Sequence, residues 1–216
     1  AIQRMKDITL QQNINLTGLI GESEGEEITI NFDGNSITGG TIAIPDLASV
    51  NTDEQTLIFV PATDGHFVLE TANADGTYTY SIMTSAPGDA VARIDNRYFS
   101  TLQGATNVAK DGETVVLLKT IEIADPVNIT TAITLEGDDH KVTSTSNPAF
   151  TVSGTGDVTI NKLKVTATEG AAIEVNNEYA GKLTLNNDSI KASSRGIDVQ
   201  SIAEGFALTV NSSAIQ

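Results

Sequence analysis

The sequence contains no cysteine and no tryptophan, and aromatic residues make up only 5 % of its 216 residues. A disulfide scaffold and a thiolate-bound metal site are therefore excluded. Hydrophobic residues reach 39 %, which is enough for a core, although they are spread along the whole chain. The scarcity of large rings favours a fold that stacks Val, Ile and Leu in regular layers.

Positive charge is also scarce, because 12 Lys and Arg stand against 28 Asp and Glu and give a net charge of −16. Nucleic-acid binding needs clustered Lys or Arg, so no nucleic-acid partner is expected. The same charge disfavours an anionic membrane surface, and no apolar run approaches the roughly 18 residues of a membrane-spanning helix. No cofactor is expected, but a strongly negative chain can hold divalent cations, so weak calcium binding stays open.

A short strand recurs at a constant interval in the second half of the chain. VTIN starts at Val158, LTLN at Leu183 and LTVN at Leu208, each 25 residues after the one before, and ITLE starts at Ile133. Two further segments of alternating polarity follow VTIN and LTLN, so each period predicts about three short strands. Three strands and three turns make one triangular coil, and a stack of coils buries the apolar face that one coil cannot bury alone. The pattern predicts an all-β fold, a parallel β-helix or solenoid.

An asparagine closes each of these strands, at Asn161, Asn186 and Asn211. Equal spacing places the three side chains above one another in a stack of coils. We predict that they lie inward at a turn and that each amide bonds to the amide of the next coil, because Asn ladders stabilise stacked parallel strands.

One segment, residues 97–112, predicts a helix. Ser100 followed by Gln103 forms a capping box, and Gly112 is placed to end the helix. Its apolar positions fall on one helical face, namely Leu102, Ala105, Val108 and Ala109. A β-helix exposes free strand edges at its end, so we predict that this helix caps the first coil, whose first strand is residues 115–118.

The first 88 residues are rich in predicted strands but have no clear period. Residues 8–16 and 28–40 resemble VVLLKTIEI and ITLEGDDHKVTS of the second half, which indicates a degenerate copy of the same module, with later strands continuing its coils. Residues 73–77 are instead typical of a hairpin turn between antiparallel strands, which favours a separate sandwich-like domain. Both interpretations stay open, and SAPGDA at residues 85–90 predicts a linker.

The predicted domains are therefore residues 1–88, a β-rich segment, and residues 89–216, a capped β-helix that is open or truncated at its C-terminal end. The chain starts at Ala1 rather than at Met and stops part-way through a coil. We accordingly expect it to be a piece of a longer protein, or a partner to cover the last coil.

Several of these segments resemble a known module. YFSTLQGA at residues 98–105 and AKDGETVVLLK at residues 109–119 resemble the opening of a module from large bacterial adhesin-like surface proteins, and ITLEGDDHKVTS and ITINFDGNSITGG resemble its next strand and turn. The family adopts the pectin-lyase-like, right-handed parallel β-helix. The resemblance implies an extracellular, bacterial cell-surface location and a non-enzymatic stalk or adhesin whose partner is a glycan or a surface protein. It carries no fixed catalytic residue.

Polysaccharide lyases and glycoside hydrolases also use right-handed β-helices, so cleavage of a polysaccharide is the alternative. Such enzymes need converging carboxylates, and lyases also need a basic residue. Asp138 and Asp188 lie two periods apart, or roughly 10 Å, which is too far to share one calcium ion. Asp138, its neighbour Asp139 and Asp188 are predicted to form turns, and Arg195 to be a solvated turn residue.

The remaining candidates indicate ordinary surface roles. His66 and His140 lack the spacing of metal ligands. GESEGEE at residues 21–27 predicts a solvated loop, with weak calcium binding as the alternative. Tyr179 lies in a longer turn, where it would line a shallow glycan groove if it faced solvent. No catalytic or cofactor-binding residue is therefore predicted.

One observation would separate the two functions. An enzyme should show converging acids on one face beside an Arg or Lys, whereas a stalk should show Thr, Asn and Ser there. Thr159, Thr184 and Thr209 recur at the period, and this recurrence favours the non-enzymatic module.

Overall fold

The computed structural model describes residues 2–3, 8–9, 14–15, 26–31, 37–38, 42–44, 48–53, 55, 58–61 and 65–216. The chain forms two compact units. Unit 1 comprises Ala1–Ala90 and Asp95–Gly104, and unit 2 comprises Val91–Ile94 and Ala105–Gln216. The predicted domain boundary at residues 88 and 89 stays a prediction.

The strands in chain order are β1 (Ile2–Gln3), β2 (Ile8–Thr9), β3 (Ile14–Asn15), β4 (Glu26–Asn31), β5 (Ile37–Thr38), β6 (Ile42–Ile44), β7 (Ala48–Thr52), β8 (Phe59–Pro61), β9 (Phe67–Ala72), β10 (Tyr78–Met83), β11 (Ala92–Ile94), β12 (Arg97–Phe99), β13 (Thr114–Leu117), β14 (Ile121–Ile123), β15 (Val127–Ile129), β16 (Thr134–Glu136), β17 (Lys141–Ser144), β18 (Phe150–Val152), β19 (Val158–Asn161), β20 (Lys164–Ala167), β21 (Ile173–Val175), β22 (Lys182–Asn186), β23 (Ser189–Ala192), β24 (Ile197–Val199), β25 (Ala207–Asn211) and β26 (Ala214–Ile215). One helix, α1 (Leu102–Val108), is present among the described residues.

Unit 2 is a β-solenoid of stacked parallel coils, as the 25-residue period predicts. Its first sheet runs β13-β16-β19-β22-β25, its second β14-β17-β20-β23-β26 and its third β15-β18-β21-β24. Val158 pairs with Leu183, and Leu183 pairs with Leu208, in parallel register. The alternating residues of each inner strand point to a shared core, in which Leu135, Ile160 and Leu185 are at most 1 % exposed.

The turn from the first to the second sheet is also repeated in the inner coils. Lys162, Asn187 and Ser212 lie 25 residues apart and have φ of 47°, 56° and 50°. This left-handed backbone turns the chain sharply, and non-glycine residues adopt it uncommonly. The equal spacing shows that the turns stack as regularly as the strands do.

The predicted asparagine ladder is present, but it faces the other way. Asn186 donates its Nδ2–H to Asn161 Oδ1 at 2.8 Å, and Asn211 donates to Asn186 Oδ1 at 2.8 Å. In β19 the buried positions are Val158 and Ile160, so Asn161 points to the outside and is half-buried. The prediction of an inward position was therefore wrong, because successive side chains of a strand alternate between its two faces.

The helix confirms the predicted apolar face, but its start differs. Leu102 and Ala105 are at most 2 % exposed. The cap is Thr101, whose Oγ1 accepts the Gly104 N–H at 3.0 Å. Ser100 instead accepts the Ala72 N–H at 3.0 Å. The residues that precede Ser100 form β12, which pairs in parallel with β9, rather than a first helical turn.

Unit 1 combines both interpretations left open for the first half. β1, β4 and β7 pair in parallel, as do β2 with β5 and β3 with β6 and β8, which is the pairing of stacked coils. β9 and β10 then form an antiparallel hairpin rather than further coils. In its turn Asp75 Oδ1 accepts the Thr77 N–H at 3.0 Å, as expected for turn residues.

Candidate functional site

The outer side of the first sheet of unit 2 carries two aligned columns of polar side chains. Parallel pairing places threonines above one another in five coils, namely Thr114, Thr134, Thr159, Thr184 and Thr209. Two residues along each strand, the second column contains Val116, Glu136, Asn161, Asn186 and Asn211. We call these two columns the Thr/Asn face.

The geometry of this face follows from strand packing. Neighbouring coils lie about 4.8 Å apart, and the two columns are separated by about 6.6 Å along each strand. The bonded Asn amides hold the second column in place, while Thr159 and Thr184 remain half-buried and Thr209 is exposed. The face therefore offers a regular array of hydroxyl and carboxamide groups.

Most of these groups carry no charge, so the face can bind but cannot exchange protons near neutral pH. A threonine hydroxyl both donates and accepts hydrogen bonds, and an asparagine amide does the same. The one acid in the columns is Glu136, whose Oε1 lies 3.7 Å from Lys162 Nζ in an exposed ion pair. Such a pair contributes little to stability and leaves the chemistry of the face unchanged.

The third sheet brings together two acids that the sequence analysis missed. Glu174 and Asp198 pair in register on adjacent coils. Gln200 donates its Nε2–H to Glu174 Oε2 at 3.1 Å and to Asp198 Oδ2 at 3.3 Å. Arg195 donates from Nη1 to the same Asp198 oxygen at 2.7 Å, while most of its side chain is exposed. We call Glu174, Arg195, Asp198 and Gln200 the acid–arginine cluster.

Most acids and histidines considered from sequence lie apart. Asp138 and Asp139 have φ of 46° and 65° and form the predicted turn. Asp139 also pairs with Lys164 Nζ at 3.2 Å. His66 and His140 belong to different units and are partly exposed. In GESEGEE, Glu26 and Glu27 start β4, and residues 21–25 lie outside the described residues.

Tyr179 does not line a glycan groove, which corrects that expectation. Its side chain is 1 % exposed, and its hydroxyl lies 2.8 Å from Lys182 O and 3.0 Å from Gly156 O. Burial raises the pKa of the Tyr179 hydroxyl to about 12. Its ring packs edge-on against Phe206 at a centroid distance of 5.9 Å. The residue therefore fills the core of the solenoid.

Asp188 is buried rather than solvated at its turn. Its Oδ1 accepts the Leu163 N–H of the neighbouring coil at 2.8 Å, and its own N–H donates to Ser213 Oγ at 3.0 Å. The residue is 3 % exposed, and its Oδ2 has no hydrogen-bond partner. Burial raises the pKa of Asp188 to about 6, the backbone amides of Leu163 and Asn186 oppose the rise, and the Glu136 charge adds to it.

This burial predicts a pH dependence of stability. Because the pKa of Asp188 rises from 3.8 to about 6 on folding, the folded state binds the proton more tightly. The resulting stabilisation is complete below the unfolded pKa and is lost as the pH rises through the folded pKa. We expect Asp188→Asn to remove this loss, so that the free energy of unfolding falls less between about pH 5 and pH 8 than in the unmodified chain.

Urea unfolding at the two pH values measures this difference, and Asp157→Asn is the matched control. Asp157 accepts the Lys182 N–H across the same 25-residue step at 2.9 Å, but its side chain is 61 % exposed. The control should keep the pH dependence of the unmodified chain. An Asp188→Asn variant that follows the same pH curve would show that Asp188 is not the titrating group.

Unit 1 contains a second buried carboxyl, at Glu70. Its Oε1 accepts the Gln55 Nε2–H at 2.6 Å, and β9 places it opposite Tyr80 of β10. Burial raises the pKa of Glu70 to about 7, while Gln55, the Tyr80 hydroxyl and the Arg97 charge lower it. Glu70 is 2 % exposed, so its proton is enclosed rather than available to a substrate. The sequence signal was an acid at an inward position of an alternating strand.

A shallow pocket of about 280 Å³ lies on unit 2 beside β14 and β17, lined by Glu122, Ile123, Ala124, Thr143 and Thr145. It contains a single acid and no partner for proton transfer. Among the described residues, no three His, Asp or Glu side chains are grouped closely enough to hold a metal ion. No helix in the described part of the chain is long and apolar enough to cross a membrane.

No protein-family model, curated protein or solved structure matches this chain. The β-solenoid is therefore established by its own strand pairing. The pectin-lyase-like and adhesin-like assignments remain interpretations of the sequence.

Proposed function

We propose that this chain is a non-enzymatic module of a bacterial cell-surface protein that serves as a structural stalk and binds an extended glycan on its Thr/Asn face. The observation that carries the proposal is the register of Thr134, Thr159, Thr184 and Thr209 in successive coils. A row of identical polar groups at a constant spacing suits a polymer that repeats along its own length.

Charge and side-chain type narrow the ligand to a neutral polysaccharide. A net charge of −16 repels polyuronates and other polyanions. The two columns contain no aromatic residue on which a sugar ring could stack. Each sugar would therefore be held by hydrogen bonds, which are weak individually, and affinity would come from several coils acting on one chain.

The structural part of the proposal depends on how the coils hold one another. Apolar columns fill the core, and the Asn ladder links β19, β22 and β25 through two side-chain hydrogen bonds. Exposed ion pairs between coils, such as Lys182 with Asp157 at 3.8 Å, add little. Stability therefore comes from the contacts between neighbouring coils, which is the arrangement that a load-bearing spacer requires.

The test is binding of the chain to immobilised neutral glycans and, separately, to polyuronates. We expect Thr159→Glu combined with Thr184→Glu to weaken binding of a neutral glycan at least about tenfold, because several hydrogen-bonding groups are replaced by desolvated charges. Thr143→Glu with Thr166→Glu is the matched control, because these threonines pair in register on the outside of the second sheet. Equal loss in both double variants, or binding of polyuronates alone, would contradict the proposal.

Cleavage of a polysaccharide is the second candidate, and the acid–arginine cluster favours it. Two carboxylates beside an Arg on one face are the arrangement expected of a β-helix enzyme, and Gln200 bridges both acids. Against it, the cluster lies open to solvent, whereas catalytic acids work in a site that excludes water. Release of new reducing ends or unsaturated uronides that disappears in Glu174→Gln and Asp198→Asn would establish the enzyme instead.

A further inference from the structure

The large apolar side chains that are exposed in the described part of the chain all lie between residues 202 and 215 of unit 2. They are Ile202 at 81 %, Leu208 at 40 %, Val210 at 41 % and Ile215 at 39 % exposure. Leu208, Val210 and Ile215 continue the columns of Leu183, Leu185 and Ile190, which are at most 1 % exposed. The coil formed by β25 and β26 thus presents to solvent the surface that every inner coil buries.

The backbone of β25 is equally open along one edge. The Ala207 N–H donates to Gly181 O, and Asn211 O accepts the Asn187 N–H, so these residues bond toward β22 and its following turn. In a parallel ladder alternate residues bond to opposite sides. Leu208 and Val210 therefore direct their N–H and C=O groups toward the open edge, which is a template for another strand.

This end of unit 2 is also free of charge. Residues 205–216 contain no Asp, Glu, Lys or Arg, although the chain as a whole carries a net charge of −16. Two copies of so acidic a chain repel one another over most of their surface, and an uncharged patch is where that repulsion is smallest. A basic partner, by contrast, would be drawn to the acidic surface elsewhere. The absence of charge therefore favours a second copy of this chain as the occupant.

We propose that the β25–β26 coil is a self-association surface through which two copies of this chain meet, with their β25 edges paired antiparallel about a two-fold axis at Thr209. Leu208 of each copy then lies opposite Val210 of the other, and both side chains enter the joined core. The two Thr209 side chains meet on the outside and continue the threonine column across the axis. Such a contact is self-complementary, as a two-fold interface requires.

Sedimentation velocity of the full chain over a range of concentrations tests the association. We expect a reversible dimer of twice the 22.6 kDa chain mass. Val210→Lys should raise the dissociation constant at least about tenfold, because it places a charge at the centre of the buried contact. Thr184→Lys adds the same charge one coil inside, on the Thr/Asn face, and should leave the association unchanged.

A cross-link tests the position of the axis independently, since the chain contains no cysteine. Residues facing each other in a non-hydrogen-bonded antiparallel pair have Cα atoms about 4.5 Å apart, within the range of a disulfide. Thr209→Cys should therefore form a disulfide-linked dimer on mild oxidation, whereas Thr184→Cys should not. A chain that stays monomeric at every concentration overturns the proposal, as does a dimer that Val210→Lys leaves intact and Thr209→Cys does not cross-link.

Discussion

Replacing Phe150 by Ala should lower the free energy of unfolding of unit 2 by about 3–5 kcal/mol. Phe150 is fully buried in β18 and pairs in register with Val127 on one side and Ile173 on the other. Removing the ring loses its burial and leaves a cavity that rigidly paired strands cannot close. Urea unfolding monitored by circular dichroism measures the change, and hydrogen exchange places it in unit 2.

Thr151→Ala is the control for this prediction. Thr151 is the next residue of the same strand and points to the outside, so its replacement should change the free energy of unfolding by no more than about 0.5 kcal/mol. Similar losses in the two variants would mean that the third sheet does not face the core as described.

The second large effect is expected for Gly137→Ala. A Cβ at Gly137 would lie 2.5 Å from Leu163 Cα and 2.6 Å from Lys162 O, both backbone atoms of the next coil. The two coils must move apart, which strains the Gly137 N–H bond to Asn161 O, now 2.7 Å long. Overpacking of this kind typically costs 1–3 kcal/mol, and a weakened hydrogen bond adds about 1 kcal/mol.

Gly88→Ala provides the matched comparison, because a Cβ there meets nothing within 4 Å and its backbone is not left-handed. That variant should be neutral or slightly stabilised, since alanine restricts the unfolded chain. Thermal unfolding of both variants separates the two outcomes. A Gly137→Ala protein as stable as the Gly88→Ala protein would refute the close approach of these coils.

The sequence allowed the period and the parallel stacking to be predicted because each inner coil repeats one apolar pattern at one spacing. The side of the ladder was predicted wrongly, although the alternation of Val158, Ile160 and Asn161 contains the answer. The helix start was missed because Thr101, rather than Ser100, caps α1. The preceding residues are drawn into a strand by β9, a long-range pairing that local pattern does not contain.

The acid–arginine cluster escaped prediction for a different reason. Glu174 and Asp198 pair in register although they are 24 residues apart, because the turns of that coil are one residue shorter. A search at a fixed interval of 25 residues does not bring them together. Asp188 was located correctly at its turn, but burial of a turn depends on the neighbouring coil, and Leu163 at the equivalent position was the available signal.

The constant register between β19, β22 and β25 has a consequence for how such a gene can change. Duplication of a whole 25-residue unit would add one coil whose side chains meet the same neighbours as before, so the protein could lengthen in single steps at little cost. A one-residue insertion within a strand would instead exchange its inner and outer side chains. Variation in length among descendants of this gene should therefore come in whole repeats, with single-residue insertions and deletions confined to the turns.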